Sequence, residues 1–462
     1  MINGYTTIVL HLVIIIPLLA NNIIILLSEH KINRLIDERR IIVGIFVRLL
    51  EKLFVILALT FFCGAFGQFA LGDVIPKFII TLIRFSVWGI STTLICIFWK
   101  DTIFILLRNK ILFLLTFLSF ISFIWSVAPE FTLSNIRDVM MMTCFGLYFA
   151  SRFTLKEQIQ LIALTLLIGA FLSTIFSLGL PAIGKHGAPH PGAWKGIYGD
   201  KNNFGSMMVL SSLAFFMLPK DNLKLYKWGG FIVSLILILL STSKTSLIIF
   251  FLLILFIFFY KEFRWQGKIS VIFVDLGVLL LGCISLLIFS YWAEFLTSLQ
   301  RDPTLTGRVP VWGFVISKLM ERPLLGYGRE GFWAPNSSFA ISAGQTVTSG
   351  GWVTPHAHNG FLDIALDVGL IGLLLFLITF VITFARSLKQ AYAAEYPEEL
   401  WSLAFLCFLV MNNLTESFLL RGANLYWVLY ISTAFTLSQK RFVKSKIRHI
   451  KYLHEREVSI NI

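Results

Sequence analysis

From Trp292 to Asn359 the chain carries Thr306-Gly-Arg308, the apolar-striped run Val309–Leu319, the turn Pro323-Leu-Leu-Gly-Tyr-Gly328 and finally His356-Ala-His-Asn359. This is the one long polar segment, and hydrophobic spans flank it on both sides. A chain that is mostly buried in lipid has few places for chemistry on the water side, so this loop and its rims are the first candidates. Of 462 residues, 57% are hydrophobic and 14% are charged. No soluble core absorbs so large an apolar fraction; the bilayer has to be the solvent.

About 20 apolar residues are needed to cross a hydrocarbon core of about 30 Å. That rule places spans near 7–28, 53–72, 78–99, 111–127, 132–151, 158–180, 203–219, 226–242, 244–260, 269–291, 360–385, 400–419 and 424–438. The expectation is an all-α polytopic membrane protein of about 12–13 transmembrane helices, with one large outer loop containing short amphipathic helices. Its parts are N-terminal helices over 1–291, the loop at 292–359, C-terminal helices over 360–438 and a basic tail at 439–462. The N-terminus lacks a basic lead and a small-residue cleavage site, so it reads as a retained helix.

Residues 226–260 would make a single straight helix of roughly 50 Å, too long for one crossing. Cations flank the run on both sides, at Lys220, Lys224 and Lys227 and again at Lys261, Arg264 and Lys268. Both flanks therefore belong in the cytoplasm, and Ser241-Thr-Ser-Lys-Thr-Ser246 becomes an outer turn of a hairpin. On this topology the cytoplasmic segments hold 26 of the 39 Lys and Arg residues. The net charge of +14 then reflects orientation and membrane lipids rather than nucleic acid. The C-terminus is expected inside, and segments 181–202 and 292–359 outside. Cys63, Cys96, Cys144, Cys283 and Cys407 all lie in apolar runs and read as small buried hydrophobes.

Cations near the outer rim suggest a lipid-linked phosphate or diphosphate. Lys195 and Lys201 lie in Gly192-Ala-Trp-Lys-Gly-Ile-Tyr-Gly-Asp-Lys-Asn-Asn203, which leads into a helix; Arg308 precedes another, and Arg137 begins the 132–151 span. Free backbone N–H groups and the positive dipole end of a helix favour anions at such positions. Snorkelling toward headgroups is the competing explanation, chiefly for Lys244 and Arg329. An Arg in the membrane needs a partner, and for Arg137 that is either a bound anion or a carboxylate on another helix.

His356 and His358, with His186 and His190, have ligand chemistry but no H-E-x-x-H spacing and no outer Cys, so no metal is expected. His358 is a general base or a capping residue. Val309, Trp312, Ile316 and Leu319 make a helical stripe, either a lid on the membrane or a plain packing face. Asp363 and Asp367 share one helix face and form an acid pair or orient a cation.

Taken in order, several of these elements resemble the O-antigen ligase and O-antigen/exopolysaccharide polymerase superfamily. They are Gly307-Arg308 with Trp312, Pro323–Gly328, His358-Asn359-x-x-Leu362 and Asp367-Val-Gly-Leu-Ile-Gly372. Upstream, Trp125-Ser-Val-Ala-Pro-Glu130, Arg152-Phe153 and Gly196-Ile-Tyr-Gly-Asp-Lys-Asn202 are similar to its exopolysaccharide-polymerase branch. The likeness covers roughly 120–375.

The resemblance implies a GT-C-like, multi-pass inner-membrane glycosyltransferase working at the periplasmic face. The implied donor is an oligosaccharide on undecaprenyl diphosphate; the acceptor is a glycan or lipid A-core. Arg308 and Lys201 would bind the diphosphate together with Arg137 and Lys195, and His358 would assist the acceptor hydroxyl. Asn202, Asn359, Asp363 and Trp312 would lend support. Many ligases of the family have Arg where Lys201 stands. Membrane lipids and polysaccharide export or chain-length proteins are further expected partners, no cofactor is expected, and inversion at the anomeric carbon is expected. A polymerase is favoured over a ligase. The alternatives are a flippase or transporter of lipid-linked glycans, and a non-catalytic member of an assembly complex.

Overall fold

The computed structural model describes residues 43–64, 75–187, 190–263, 307–347 and 353–439. The expected spans at 7–28 and 269–291, residues 65–72 of another, the start of the polar loop and the basic tail lie outside the described residues, wholly or nearly so. The chain divides into two compact units, Met1–Val55 and Ile56–Ile462.

Residues 43–62 form helix α1. There follow α2 (Lys77–Ile97), α3 (Trp99–Arg108), α4 (Lys110–Ile121), α5 (Pro129–Arg152), α6 (Leu155–Gly179), α7 (Lys201–Phe216), α8 (Lys224–Ser241) and α9 (Lys244–Phe263). In the second half come α10 (Arg308–Glu321), α11 (Ser338–Gln345), α12 (Gly360–Tyr392) and α13 (Trp401–Asn413), then α14 over 425–439. Among the described residues no strand forms, and α2, α6, α8 and α12 are each long and apolar enough to cross a membrane. This is an all-α, multi-pass membrane protein.

Its surface is inverted relative to a soluble protein. Phe78 and Leu82 on α2, Ile232 and Leu239 on α8, and Leu374 and Val381 on α12 are exposed. Hydroxyls are turned inward and bond between helices: Ser211 to Ser234, Ser206 to Tyr426 and Thr379 to Tyr430. With lipid as apolar as leucine, such polar contacts and close backbone approaches hold the helices together. At Gly146 the α5 backbone passes so close to Ile431 that any Cβ would clash.

Four sequence expectations change. Residues 100–110 were expected as a loop, but most of them form α3, because Thr102 and Ile105 make a buried ridge; the chain then bends by 90° into α4. The 400–419 span stops at Asn413, whose side chain accepts the Phe418 N–H at 2.9 Å and reverses the chain. On α10 the buried ridge is Val311, Val315 and Leu319, while Val309 and Ile316 are exposed. The helix is thus a packing face. The ridge joins Tyr327, Phe332 and Trp333 in a small aromatic core against the start of α12. The fourth change is a break within α12 at Val368–Gly369.

The 226–260 interruption does fall at Thr242, a left-handed residue between α8 and α9. Trp194 donates to the Leu240 carbonyl at 3.1 Å, and Ser243 donates to Asn202 at 3.0 Å. The 190s loop, the α8–α9 turn and the start of α7 therefore share one end of the bundle. Segments assigned by charge to one membrane side come together.

Candidate active site

Three helix starts meet at that end. Asp200 caps α7 by accepting the Asn202 N–H at 2.7 Å. Gly307, with φ 84°, turns the chain into α10 so that Arg308 is its first residue. Asn359 caps α12, its side-chain Oδ1 accepting the Phe361 and Leu362 N–H groups at 3.1 and 3.2 Å. Asn359 is thus a structural cap.

The three starts converge on the carboxylate of Glu416, in the turn after α13. Arg308 Nη2 lies 3.1 Å from Oε1, and Asn202 Nδ2 donates to the same oxygen at 3.2 Å. His358 Nδ1 lies 3.4 Å from Oε2. The backbone is joined as well: Gly360 N–H donates to the Glu416 carbonyl at 3.1 Å, and Asn359 N–H to Ser417 Oγ at 3.0 Å. The Arg308 and His358 side chains keep 18% and 26% of their exposure, so both reach the rim.

His358 is held in a left-handed conformation, φ 53°, which is uncommon for a residue other than glycine. The preceding residue, Ala357, is bonded on both sides. Its carbonyl accepts the Trp312 indole N–H at 2.7 Å, and its N–H points at the buried Asp363 carboxylate at 3.3 Å. Trp333 anchors Asp363 from the other side at 2.7 Å. Asp363 and Trp312 therefore aim the His356–His358 segment. Asp367 accepts the Glu330 N–H at 2.9 Å, and the charges of Asp363 and Asp367 both act on Arg421, as expected of carboxylates that orient a cation.

His358 N–H donates to His356 Nδ1 at 3.1 Å. Loss of water around His356, with His358, Arg421 and Arg308 nearby, holds its pKa well below the ordinary histidine value. His356 is a neutral acceptor. His356, His358 and Glu416 also place one ligand atom each within 4.8 Å of one another, a grouping that could hold a metal ion.

Lys201 begins α7 beside Asn202, with its backbone N–H bonded to His186 Nε2 at 3.0 Å. Partial burial lowers its pKa, Asp200 raises it and Lys244 lowers it further. Lys195 stands in the same loop, its N–H bonded to the Gly184 carbonyl at 2.9 Å. Among the described residues, no hydrogen bond or ion pair joins Lys195 or Arg137 to Arg308, His358 or Glu416. Arg137 lies deeper, its Nε buried without a hydrogen-bond partner; the neighbouring Asp138 pairs with Arg84 of α2 at 3.5 Å.

Glu416 is the residue that the sequence reading passed over. It fell inside an expected span, where an ionisable residue is by default a candidate functional group. That signal was present.

Residues 229–377 match the family model described as O-Antigen ligase. A protein named as a polysaccharide ligase in Rickettsia conorii is 37% identical over 81 residues, 16% of this chain and 18% of its own length. The exopolysaccharide production protein ExoQ of Rhizobium meliloti is 34% identical over 73 residues, 16% of this chain and 17% of its own. The chain thus spans less than a fifth of each of these relatives. Over the matched stretch, the resemblance to the O-antigen ligase family carried by Gly307-Arg308 and His358-Asn359 is borne out.

Proposed function

We propose that the chain is a membrane glycosyltransferase that moves a glycan from a polyprenyl diphosphate to an acceptor hydroxyl at the Arg308–Glu416–His358 site. The observation that carries this reading is the meeting of Arg308, Asn202 and His358 on one carboxylate, at the joined starts of three helices. Helix starts favour anions, and an arginine fork suits a diphosphate. Here Glu416 occupies the anion's neighbourhood and keeps the cation and the imidazole in position.

In the reaction, the bond from C1 of the sugar to the phosphate oxygen breaks and a bond from the acceptor oxygen to C1 forms. Arg308, with Lys201 at the α7 start, steadies the charge growing on the departing diphosphate, the type of stabilisation that often supplies the largest part of a rate enhancement. His358 takes the acceptor's proton. Its Nδ1 faces Glu416, which favours the tautomer with Nε2 free to act as base. No enzyme carboxylate is needed as nucleophile, so the anomeric centre inverts. The site belongs to the periplasmic face of an inner-membrane protein with a cytoplasmic C-terminus. The relatives' names and the matching family model support assigning it to polysaccharide or O-antigen assembly; repeat-unit polymerisation is favoured over ligation only on the likeness of Trp125–Glu130, Arg152-Phe153 and Gly196–Asn202 to the exopolysaccharide-polymerase branch.

The His356–His358–Glu416 grouping suggests a second, metal-assisted version. The metal-free version is favoured because Glu416 already bonds Arg308 and Asn202, and His356 Nδ1 accepts the His358 N–H. A divalent ion would also have to approach a guanidinium.

The test is reconstitution with a radiolabelled diphosphate-linked repeat unit. A product ladder means polymerase, one addition to a different lipid means ligase, and movement across the bilayer without new glycosidic bonds refutes the enzyme. Turnover should survive exhaustive chelation, and Arg308→Ala or His358→Ala should abolish it. Chelation that stops turnover until one divalent ion is restored would overturn the metal-free version.

A further inference from the structure

His186 lies in the loop that leads into α7, and its backbone is pinned on both sides. Its N–H donates to the Ala193 carbonyl at 2.8 Å, and its carbonyl accepts the Gly192 N–H at 3.0 Å. Beside it, Lys185 and Trp194 form an antiparallel bridge. The ring so placed has one nitrogen, Nε2, with two neighbours that make opposite demands. The Lys201 backbone N–H is 3.0 Å away, and Asp200 Oδ2 is 3.6 Å away.

A main-chain N–H can only donate. The bond to Lys201 therefore requires a bare Nε2, with the ring's single proton on Nδ1. Once protonated, the same nitrogen repels the Lys201 N–H and attracts Asp200, whose Oδ1 caps α7 at the Asn202 N–H. The charged and titratable groups facing the ring are His190 and Lys195 from its own loop and Asp200 and Lys201 from the α7 start. Lys244 of α9 acts on Lys201 in turn. Partial burial lowers the ring's pKa from the ordinary histidine value, Asp200 raises it, and Lys195, His190 and Lys201 lower it further.

The start of α7 depends on that bond. Lys201 is its first residue, and Asn202, the second, donates to Glu416 at 3.2 Å and accepts from Ser243 at 3.0 Å. We infer that His186 is a positioning residue for the donor side of the site: neutral, it fixes the α7 start, and protonated, it turns to Asp200, uncaps the helix and withdraws Asn202 from Glu416. The inference rests on the proposed polyprenyl-diphosphate donor, held by Arg308 and Lys201. On the proposed topology this loop meets the outer medium, whose acidity would then set how firmly the donor is held.

Binding of radiolabelled undecaprenyl diphosphate to the full chain in lipid nanodiscs, at about pH 7 and about pH 5, brackets the titration of a histidine. His186→Gln keeps an acceptor near the place of Nε2 and cannot titrate. It should bind as the parent does at the higher pH, and the parent should weaken on acidification about fivefold more than it does, the worth of one net hydrogen bond. His186→Ala should bind weakly at both. Acid effects on the diphosphate itself or on His358 are common to the parent and His186→Gln, so only their difference counts. Isotope-edited NMR of the parent without donor, assigned against His186→Gln, should show a bare Nε2 near neutral pH. Equal pH dependence in parent and His186→Gln overturns the inference, as does a proton on Nε2 near neutral pH or a His186→Ala chain that binds like the parent. A parent that binds no undecaprenyl diphosphate at either pH refutes the proposed donor, and the inference falls with it.

Discussion

Arg308 and His358 stand on opposite oxygens of the Glu416 carboxylate, at 3.1 and 3.4 Å. A single side chain thus couples the cation that would hold a leaving diphosphate to the imidazole that would deprotonate an acceptor. The coupling spans two long loops and the turn after α13, so local propensity alone does not create it.

Glu416→Gln keeps the size of the side chain and removes its charge. We expect kcat to fall by about 10²-fold, the usual cost of misplacing reacting groups by about 1 Å. Donor KM should change little, because Arg308 keeps its own charge. Steady-state kinetics with the lipid-linked donor check this; a change confined to KM would place Glu416 in donor binding instead.

Trp312→Phe removes the indole N–H that holds the Ala357 carbonyl, and the ring keeps most of its packing. Stability should drop by about 1 kcal/mol, one net hydrogen bond, while activity falls by roughly tenfold or more as His358 loses its aim. Thermal unfolding beside turnover measures both. Equal, small losses in the two would mean that the bond serves folding alone.

His356 has a folded-state pKa well below the ordinary 6.5. Below that pH the unfolded chain binds a proton that the folded chain refuses. This contribution to stability is therefore full above pH 6.5 and is lost as pH falls toward the folded value. Melting temperature should decline on acidification from about pH 7 to about pH 5.5, and His356→Gln should flatten that slope. An unchanged slope would assign the acid sensitivity to other groups.

Gly369 has φ 71° and ψ −177° inside α12, and a Cβ there would meet the Leu324 carbonyl. That backbone region is essentially confined to glycine, and occupying it with another residue costs about 1–3 kcal/mol before any clash. Gly369→Ala should lower the melting temperature and lose turnover with it. A variant as stable as the parent would show that the break relaxes without consequence.

Much of the fold was legible because a lipid-facing helix must be apolar for about 20 residues, and α2, α6, α8 and α12 obey that rule. Arg308, His358 and Lys201 stood out as polar residues beside helix starts. The roles of Asn359, Asp363 and Trp312 could not be read this way, since capping and bracing depend on which backbone group lies opposite. Glu416 was obscured by its neighbours: Leu414, Phe418, Leu419 and Leu420 extend the apolar run past the point where Asn413 ends the helix. Arg137 was legible only in part. Its depth on α5 was clear, but only the tertiary structure shows that Asp138 pairs with Arg84 while Arg137 stays away from Glu416.

The break in α12 bears on how this architecture can vary. Main-chain groups knit the Pro323–Gly328 turn into it: Tyr327 N–H to the Leu366 carbonyl at 2.7 Å, and Leu370 N–H to the Pro323 carbonyl at 2.7 Å. Such a joint takes little notice of side-chain identity, and Leu324, exposed at 64%, can be exchanged with no effect on the seam. Gly326 and Gly369 cannot, since each passes against a carbonyl oxygen of the opposing segment. A mutational scan across the seam should therefore show tolerance interrupted at the glycines, with the imidazole's position unaffected by drift in the residues around them.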